Sequence, residues 1–127
     1  MKFLNSFFAL AGLLLAVNTA NALEIAPYSV QTFSELQKAD KPVTLHFHAE
    51  WCSTCKAQEK VFNGWKGDAA VPGILLIVDY DNERALRKKM GVRGQSTVIS
   101  FKGSSEKARL AGDTDAKALR AVIDAAK

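Results

Sequence analysis

The chain has 127 residues, with 17 lysines and arginines against 13 aspartates and glutamates, a formal net charge of +4, two histidines and two cysteines. This length accommodates one small domain with a core of its own. The basic residues are scattered apart from the run at 84–89, which has no aromatic interleaving, so we expect no nucleic-acid partner.

Residues 1–22 have the pattern of a secretory signal peptide. Lys2 gives a positive start, residues 7–17 are almost wholly apolar, and Ala20-Asn21-Ala22 fits a small-x-small cleavage site. The apolar run is shorter than the roughly 20 residues of a membrane-spanning helix, which favours cleavage over a retained anchor. We therefore expect a periplasmic protein whose mature domain is 23–127. Lys2 is the only charge removed, which leaves 16 basic and 13 acidic residues.

The first elements of the mature domain are predicted from capping and alternation. A short extended piece is expected around Glu24-Ile25. Residues 32–35 match a capping box, which predicts a helix from Phe33 to about Ala39 with Thr32 as N-cap and Glu35 reaching back. Apolar residues then alternate from Val43 to His48, which predicts a strand with His46 and His48 on one face.

The two cysteines, Cys52 and Cys55, lie where this strand gives way to a helical pattern. A thiol at a helix start is exposed to partial positive charge, which favours the thiolate. A second thiol three residues on can displace a mixed disulfide and close a ring. A structural staple is the alternative, but so small a loop gains only roughly 2 kcal/mol, against about 3 kcal/mol for a 15-residue loop. The pair therefore indicates a redox site. Haem attachment is excluded because Lys56 stands where a histidine is needed.

The remaining elements follow from apolar runs and turn residues. We expect the cysteine helix to end at Asn63-Gly64 and residues 74–78 to form a central strand buried on both faces. Asp81 is expected to cap a helix from Asn82 to Met90, which Gly91 ends.

The last part of the chain predicts a strand at 97–101, an antiparallel return at 106–111 and a final helix begun by Asp113-Thr114. This helix has one apolar face, made of Ala116, Leu119, Val122, Ile123 and Ala126. The order β-α-β-α-β-α-β-β-α predicts an α/β fold in which a mixed sheet has helices on both faces.

With these elements in place, the chain resembles the thioredoxin superfamily. The matching residues are Phe47, Ala49-Glu50-Trp51-Cys52-x-x-Cys55-Lys56, Val78-x-x-Asp81, Gly91-Val92-Arg93-Gly94-x-x-Thr97, Phe101-Lys102-Gly103 and Ala111-Gly112. Residues 49–62 are also similar to the periplasmic C-terminal domain of DsbD-type transmembrane thiol reductases.

The resemblance implies a thiol–disulfide oxidoreductase that acts on protein disulfides. Cys52 would attack, Cys55 would resolve the mixed disulfide, and the two would form a redox-active disulfide. Trp51 and the loop Gln95-Ser96-Thr97 would contact the substrate.

Three residues depart from the family pattern. Ser96 stands where thioredoxins carry a cis-proline. A cis bond before a residue other than proline costs about 2.5–4 kcal/mol, so we predict a trans bond and an altered loop. The Ser96 N–H and hydroxyl could each stabilise a thiolate or hold a substrate backbone, or the change could be neutral. His46 replaces a buried acid and could shuttle the proton of the resolving thiol, or it could be a hydrogen-bonded core histidine. Ile77 replaces the lysine that often faces that acid.

The spacer Ser53-Thr54 supplies hydroxyls and no positive charge, which favours a reductant or electron carrier. No nicotinamide or flavin motif is present, so we expect no cofactor and recharging by a membrane thiol donor. We also expect a monomer. The alternative is a non-catalytic adapter or a metal-binding module using Cys52, Cys55 and His46 or His48. These ligands lack zinc-finger spacing, so we predict no metal.

Overall fold

The computed structural model describes residues 22–127, and its strands form one five-stranded sheet. The signal peptide predicted at 1–22 lies outside the described residues except for Ala22. The elements occur in the predicted order. They are β1 (Glu24–Pro27), α1 (Val30–Lys38), β2 (Pro42–His48), α2 (Ser53–Trp65), β3 (Ile74–Asp79), α3 (Arg84–Met90), β4 (Thr97–Lys102), β5 (Ser105–Ala111) and α4 (Ala116–Asp124).

The sheet is mixed, as predicted, with the strand order β1-β3-β2-β4-β5. β3 runs parallel to both β1 and β2, whereas β4 is antiparallel to β2 and β5. The middle strand is therefore β2, whose residues from Val43 to His48 are all buried. The residues that follow β2 therefore lie in the middle of the sheet's width, at the end where β2 terminates.

Helices cover both faces of the sheet, which confirms the predicted fold class. On one face, Phe33 of α1 and Leu86 of α3 pack with the odd-numbered side chains of β2. On the other face, Phe62 of α2 packs with α4 over β3 and β4. The alternation along β2 thus places His46 on the α2 side, where its ring lies edge-on to Phe62 at a centroid distance of 5.0 Å.

The capping predicted for α1 is wrong. The N-cap is Ser29, whose hydroxyl accepts a hydrogen bond from the Thr32 N–H at 3.0 Å. Ser29 has the extended backbone of an N-cap one turn earlier than expected, so the helix includes Val30. Glu35 accepts from Gln31 on the helix surface instead of reaching back.

Three other helix ends also differ from the prediction. α2 continues through Asn63-Gly64 to Trp65, because the Trp65 ring packs beside Phe62. α3 begins at Arg84, because the Asp79 carboxylate accepts from the N–H groups that follow it and holds them in a turn. α4 is capped by Asp115, which leaves Ala116 exposed.

Within 22–127, no helix has the length and apolar character needed to cross a membrane.

Candidate active site

Cys52 is the N-cap of α2, directly beyond the end of the middle strand. Its sulfur accepts a hydrogen bond from the Cys55 N–H at 3.1 Å, so it occupies the position that an anion takes at a helix start. Both cysteines are free thiols; Cys52 is 4% exposed and Cys55 is fully buried. The predicted placement of the pair at a helix start is confirmed.

Ser96 lies against both sulfurs. The Gln95–Ser96 peptide bond is trans, as predicted, since residues 22–127 contain no cis peptide bond. The Ser96 backbone has a φ of 65°, in the left-handed region, and its Oγ is 3.1 Å from the sulfur of Cys52 and 3.1 Å from that of Cys55. The hydroxyl therefore bridges the two thiols.

The Ser96 N–H was one of two groups that could stabilise a thiolate or hold a substrate backbone, and the structure directs it elsewhere. The N–H donates to the carbonyl oxygen of Phe47 at 2.9 Å and so joins the loop to the end of β2. A proline has no N–H and could not make this bond. The serine thus fixes the loop through its backbone and contacts the sulfurs through its side chain.

The Cys52 thiol is tuned by opposing effects. Burial raises its pKa, but hydrogen bonds from the side chains of Cys55 and Ser96 and from two backbone N–H groups outweigh burial and hold the pKa below its ordinary value. Each of these donors stabilises the charged sulfur. Cys52 is therefore the thiol of the pair that ionises more readily.

The Cys55 thiol has the opposite tendency. Burial raises its pKa, and the adjoining Cys52 raises it further, while the Ser96 hydroxyl acts in the other direction. The two thiols thus differ in the sense that a nucleophile and a resolving group require: the Cys52 sulfur is charged first and the Cys55 sulfur keeps its proton.

Gln58 is a site residue that the sequence analysis missed. It is fully buried on α2, and its amide Nε2 donates to the carbonyl oxygens of Ser96 at 3.0 Å and Asp113 at 2.8 Å. A polar residue three positions after Cys55 and four before Phe62, on the buried face of the helix, is the signal that could have identified it. Gln58 ties the catalytic helix to the Ser96 loop.

His46 completes this network. Because both amide protons of Gln58 go to carbonyls, its Oε1 faces His46 Nε2 at 2.9 Å, and the imidazole must donate. Burial lowers the pKa of His46 to about 4; the bond to Gln58 opposes this shift and the nearby His48 adds to it. The ring is neutral at neutral pH, and within 22–127 its Nε2 is directed to Gln58 and not to a sulfur. The proton-shuttle role stays a prediction, and this geometry favours the hydrogen-bonded core histidine.

This depressed pKa predicts that acid weakens the fold. Between the ordinary value of 6.5 and about 4, the unfolded chain binds a proton that the native protein does not, so the free energy of unfolding falls as the pH falls through this window. The expected loss is about 3 kcal/mol. We expect urea unfolding at pH 7 and pH 4 to show it. His46→Gln, which keeps a donor for Gln58 but does not titrate, should make the free energy of unfolding depend less on pH. The same loss of stability between pH 7 and pH 4 in the wild type and the variant would contradict the assignment of this loss to His46.

The histidines and cysteines do not converge as a metal site would require. His48 Nε2 pairs with Glu59 at 3.1 Å, His46 bonds Gln58, and the two sulfurs bond Ser96. Among residues 22–127, no group of three or more His, Cys, Asp or Glu side chains is arranged to hold a metal ion. The metal-binding alternative therefore gains no support from the geometry.

The other predicted site residues have different surroundings. Trp51 is 63% exposed beside Cys52, and its indole N–H donates to Asp81 at 2.9 Å. Gln95 is half-buried, whereas Thr97 is buried and its hydroxyl donates to the Gly94 carbonyl at 2.8 Å. Ile77 pairs with His46 across β3 and β2, so the strand position next to His46 carries no charge. Trp51 and Ser96 adjoin the thiols, while the Thr97 side chain closes a turn.

Known proteins are similar to this chain in sequence. A family model described as thioredoxin matches residues 24–125. The chain is 30% identical over 113 residues to protein disulfide isomerase-like 2-1 of Oryza sativa, which covers 85% of this chain and 30% of that protein. It is 31% identical over 91 residues to the thioredoxin of Pseudomonas aeruginosa, covering 72% of this chain and 84% of the relative.

A solved structure agrees with these matches. Trxlp from Edwardsiella tarda EIB202 superposes with a TM-score of 0.72 at 29% identity, over 79% of this chain and 98% of that one. With the fold, the Cys-x-x-Cys pair at the start of α2 and the family match in agreement, the chain belongs to the thioredoxin family of thiol–disulfide oxidoreductases.

Proposed function

We propose that the protein is an exported reductant or electron carrier that reduces or exchanges protein disulfides. The observation that carries the disulfide exchange is the position of the pair: Cys52 is the N-cap of α2 and has a lowered pKa, and Cys55 is a fully buried thiol with a raised one. Cys52 attacks a substrate disulfide and releases one thiol. Cys55 then attacks Cys52, releases the second thiol, and leaves the Cys52–Cys55 disulfide.

The surface beside Cys52 supports a protein substrate. Trp51 presents an apolar face, and its bond to Asp81 holds the ring in place at the mouth of the site. A groove of about 340 Å³ adjoins it, lined by the apolar residues Pro27, Ala49 and Ile77 and by polar residues that include Glu50 and Asp79. An exposed aromatic beside such a groove suits an extended peptide segment that carries the disulfide.

The spacer between the cysteines supports the direction of electron flow. Ser53-Thr54 carries no positive charge, so no cation in the spacer adds to the helix start and the hydrogen bonds that stabilise the Cys52 thiolate. A less stabilised thiolate makes the reduced form a stronger reductant. The oxidised protein then needs a donor, which we place in the membrane as a thiol carrier. The signal-peptide pattern of 1–22 and the likeness of 49–62 to DsbD-type reductases support an exported, periplasmic role.

The reduction potential tests the direction. We expect a value nearer thioredoxin's, about −270 mV, than DsbA's, about −120 mV. Equilibration of the purified domain with glutathione buffers, followed by thiol counting, measures it. A potential near that of DsbA would assign the protein to disulfide formation instead. Fractionation of cells that express the full chain tests export separately, since retention in the cytosol would contradict the location and leave the potential unaffected.

A further inference from the structure

We propose that the Ser96 hydroxyl is a catalytic proton relay for the resolving step: it takes the proton of Cys55 and gives its own to the departing substrate sulfur. The inference rests on the proposed thiol–disulfide exchange and adds a role at the same site. It assigns to the residue in the proline position the proton transfer for which His46 was one candidate.

The geometry at Cys55 selects this hydroxyl. Two oxygen atoms contact the buried sulfur: Ser96 Oγ at 3.1 Å and the Phe47 carbonyl oxygen at 3.7 Å. A carbonyl oxygen only accepts a hydrogen bond, whereas a hydroxyl accepts one and donates another. The hydroxyl is also the nearer of the two. It can therefore receive a proton from Cys55 and pass one on.

The other titratable groups are directed elsewhere. His46 donates its Nε2 proton to Gln58. Ile77, which replaces the lysine of the family pattern, is apolar and cannot take a proton. Among residues 22–127, no carboxylate, lysine or histidine is hydrogen-bonded to the Cys55 sulfur. Cys52 itself cannot accept the proton in the mixed disulfide, because its sulfur is then bonded to the substrate and carries no charge.

The step balances without a co-reactant. The Cys55 thiol gives its proton to Ser96 Oγ while its sulfur attacks Cys52 Sγ. The bond between Cys52 and the substrate sulfur breaks, and the electron pair leaves on the substrate sulfur. The original hydroxyl proton of Ser96 moves to that sulfur. The products are the Cys52–Cys55 disulfide and a substrate thiol, and Ser96 is restored.

The loop holds the hydroxyl in position for this transfer. The Ser96 N–H donates to Phe47, and the Ser96 carbonyl oxygen accepts from the Gly112 N–H at 3.1 Å and from Gln58 at 3.0 Å. Ser96 is 2% exposed, so bulk water does not compete freely for the proton. A fixed, water-poor hydroxyl that contacts Cys55 and also the Cys52 sulfur, to which the substrate is bonded in the mixed disulfide, is preorganised for transfer.

Two substitutions separate the hydroxyl from the backbone. Ser96→Ala and Ser96→Gly both remove the hydroxyl and keep the N–H that bonds Phe47. Alanine is strained at a φ of 65°, whereas glycine adopts it freely. Ser100→Ala is the matched control: Ser100 is a fully buried serine of the following strand whose hydroxyl has no hydrogen-bond partner among the described residues.

The experiment follows single turnovers of the reduced protein with glutathione disulfide, using acid quench and intact mass to count the mixed disulfide on Cys52. We expect both Ser96 variants to resolve it more slowly by a factor on the order of 10², and Ser100→Ala to match the wild type. With an aromatic disulfide, whose leaving thiolate is stable without a proton, the loss should be much smaller.

Three results would overturn the relay: unchanged resolution in both Ser96 variants, slowing in only one of them, or equal slowing with both disulfides. Unchanged resolution in both variants would show that the hydroxyl is dispensable. Slowing in only one variant would assign the effect to the backbone, and equal slowing with both disulfides would assign it to the placement of Cys55. If the reduced wild type neither consumes glutathione disulfide nor forms the Cys52–Cys55 disulfide, the proposed function fails, which is a separate and distinguishable result.

Discussion

Cys52→Ser is expected to abolish disulfide reduction. The reaction starts with a thiolate, and Cys52 is the thiol whose pKa is lowered, at the start of α2 and within 3.1 Å of the Ser96 hydroxyl. A serine hydroxyl in the same place remains protonated and is not nucleophilic. The assay is the reduction of insulin disulfides by dithiothreitol, which the purified wild-type domain should accelerate and the variant should leave at the uncatalysed rate.

Cys55→Ser is the matched control, because it removes the buried sulfur and spares the nucleophile. This variant should still attack but should accumulate a mixed disulfide on Cys52, visible as a mass adduct that dithiothreitol removes. Accumulation of the adduct in Cys52→Ser instead would reverse the two assignments. Retained catalysis in Cys52→Ser would contradict the assignment of Cys52 as the nucleophile, whereas no acceleration by the wild-type domain would favour a non-catalytic adapter.

Gln58→Leu is expected to lower the free energy of unfolding by about 4 kcal/mol. Leucine fills a similar volume but removes the amide that bonds Ser96, Asp113 and His46. The Ser96 carbonyl keeps its bond from the Gly112 N–H, whereas the Asp113 carbonyl and the buried N–H of His46 lose the partner that Gln58 provides. Each buried group left unpaired costs about 1–3 kcal/mol. Urea unfolding at pH 7 measures the change.

Gln31→Leu provides the comparison, since Gln31 is an exposed glutamine whose one side-chain bond is to Glu35 on the surface of α1. Its substitution should change stability by less than about 0.5 kcal/mol. Gln58→Leu should also slow the resolving step, because the Ser96 loop loses its tie to α2. Equal stabilities for the two variants would show that the buried amide does not hold the site together.

Some of the site could be read from short stretches of sequence. The alternation in β2 put His46 and His48 on one face, and the position of Cys52 after an apolar strand placed it at a helix start. The trans bond before Ser96 also followed from local chemistry, because an ordinary residue rarely adopts the cis form.

Helix ends were predicted less well, and for a physical reason. Thr32 and Asp81 both have side chains that can cap, but Ser29 caps α1, and Asp81 accepts from Trp51, 30 residues away. Several nearby residues compete for each cap, and the choice depends on what else each side chain can reach. Propensity alone does not rank such competitors.

The sequence by itself determined the order of the elements, the mixed sheet with helices on both faces, and a nucleophilic Cys-x-x-Cys pair. Each of these depends on periodicity or on spacings of a few residues. Only the tertiary structure decided that the Ser96 N–H bonds Phe47 while its hydroxyl bridges both sulfurs, and that Gln58 links His46 to the same loop. Ser96 and Cys52 are 44 residues apart, and their 3.1 Å contact exists only because β2 and β4 pair in one register and bring their ends together.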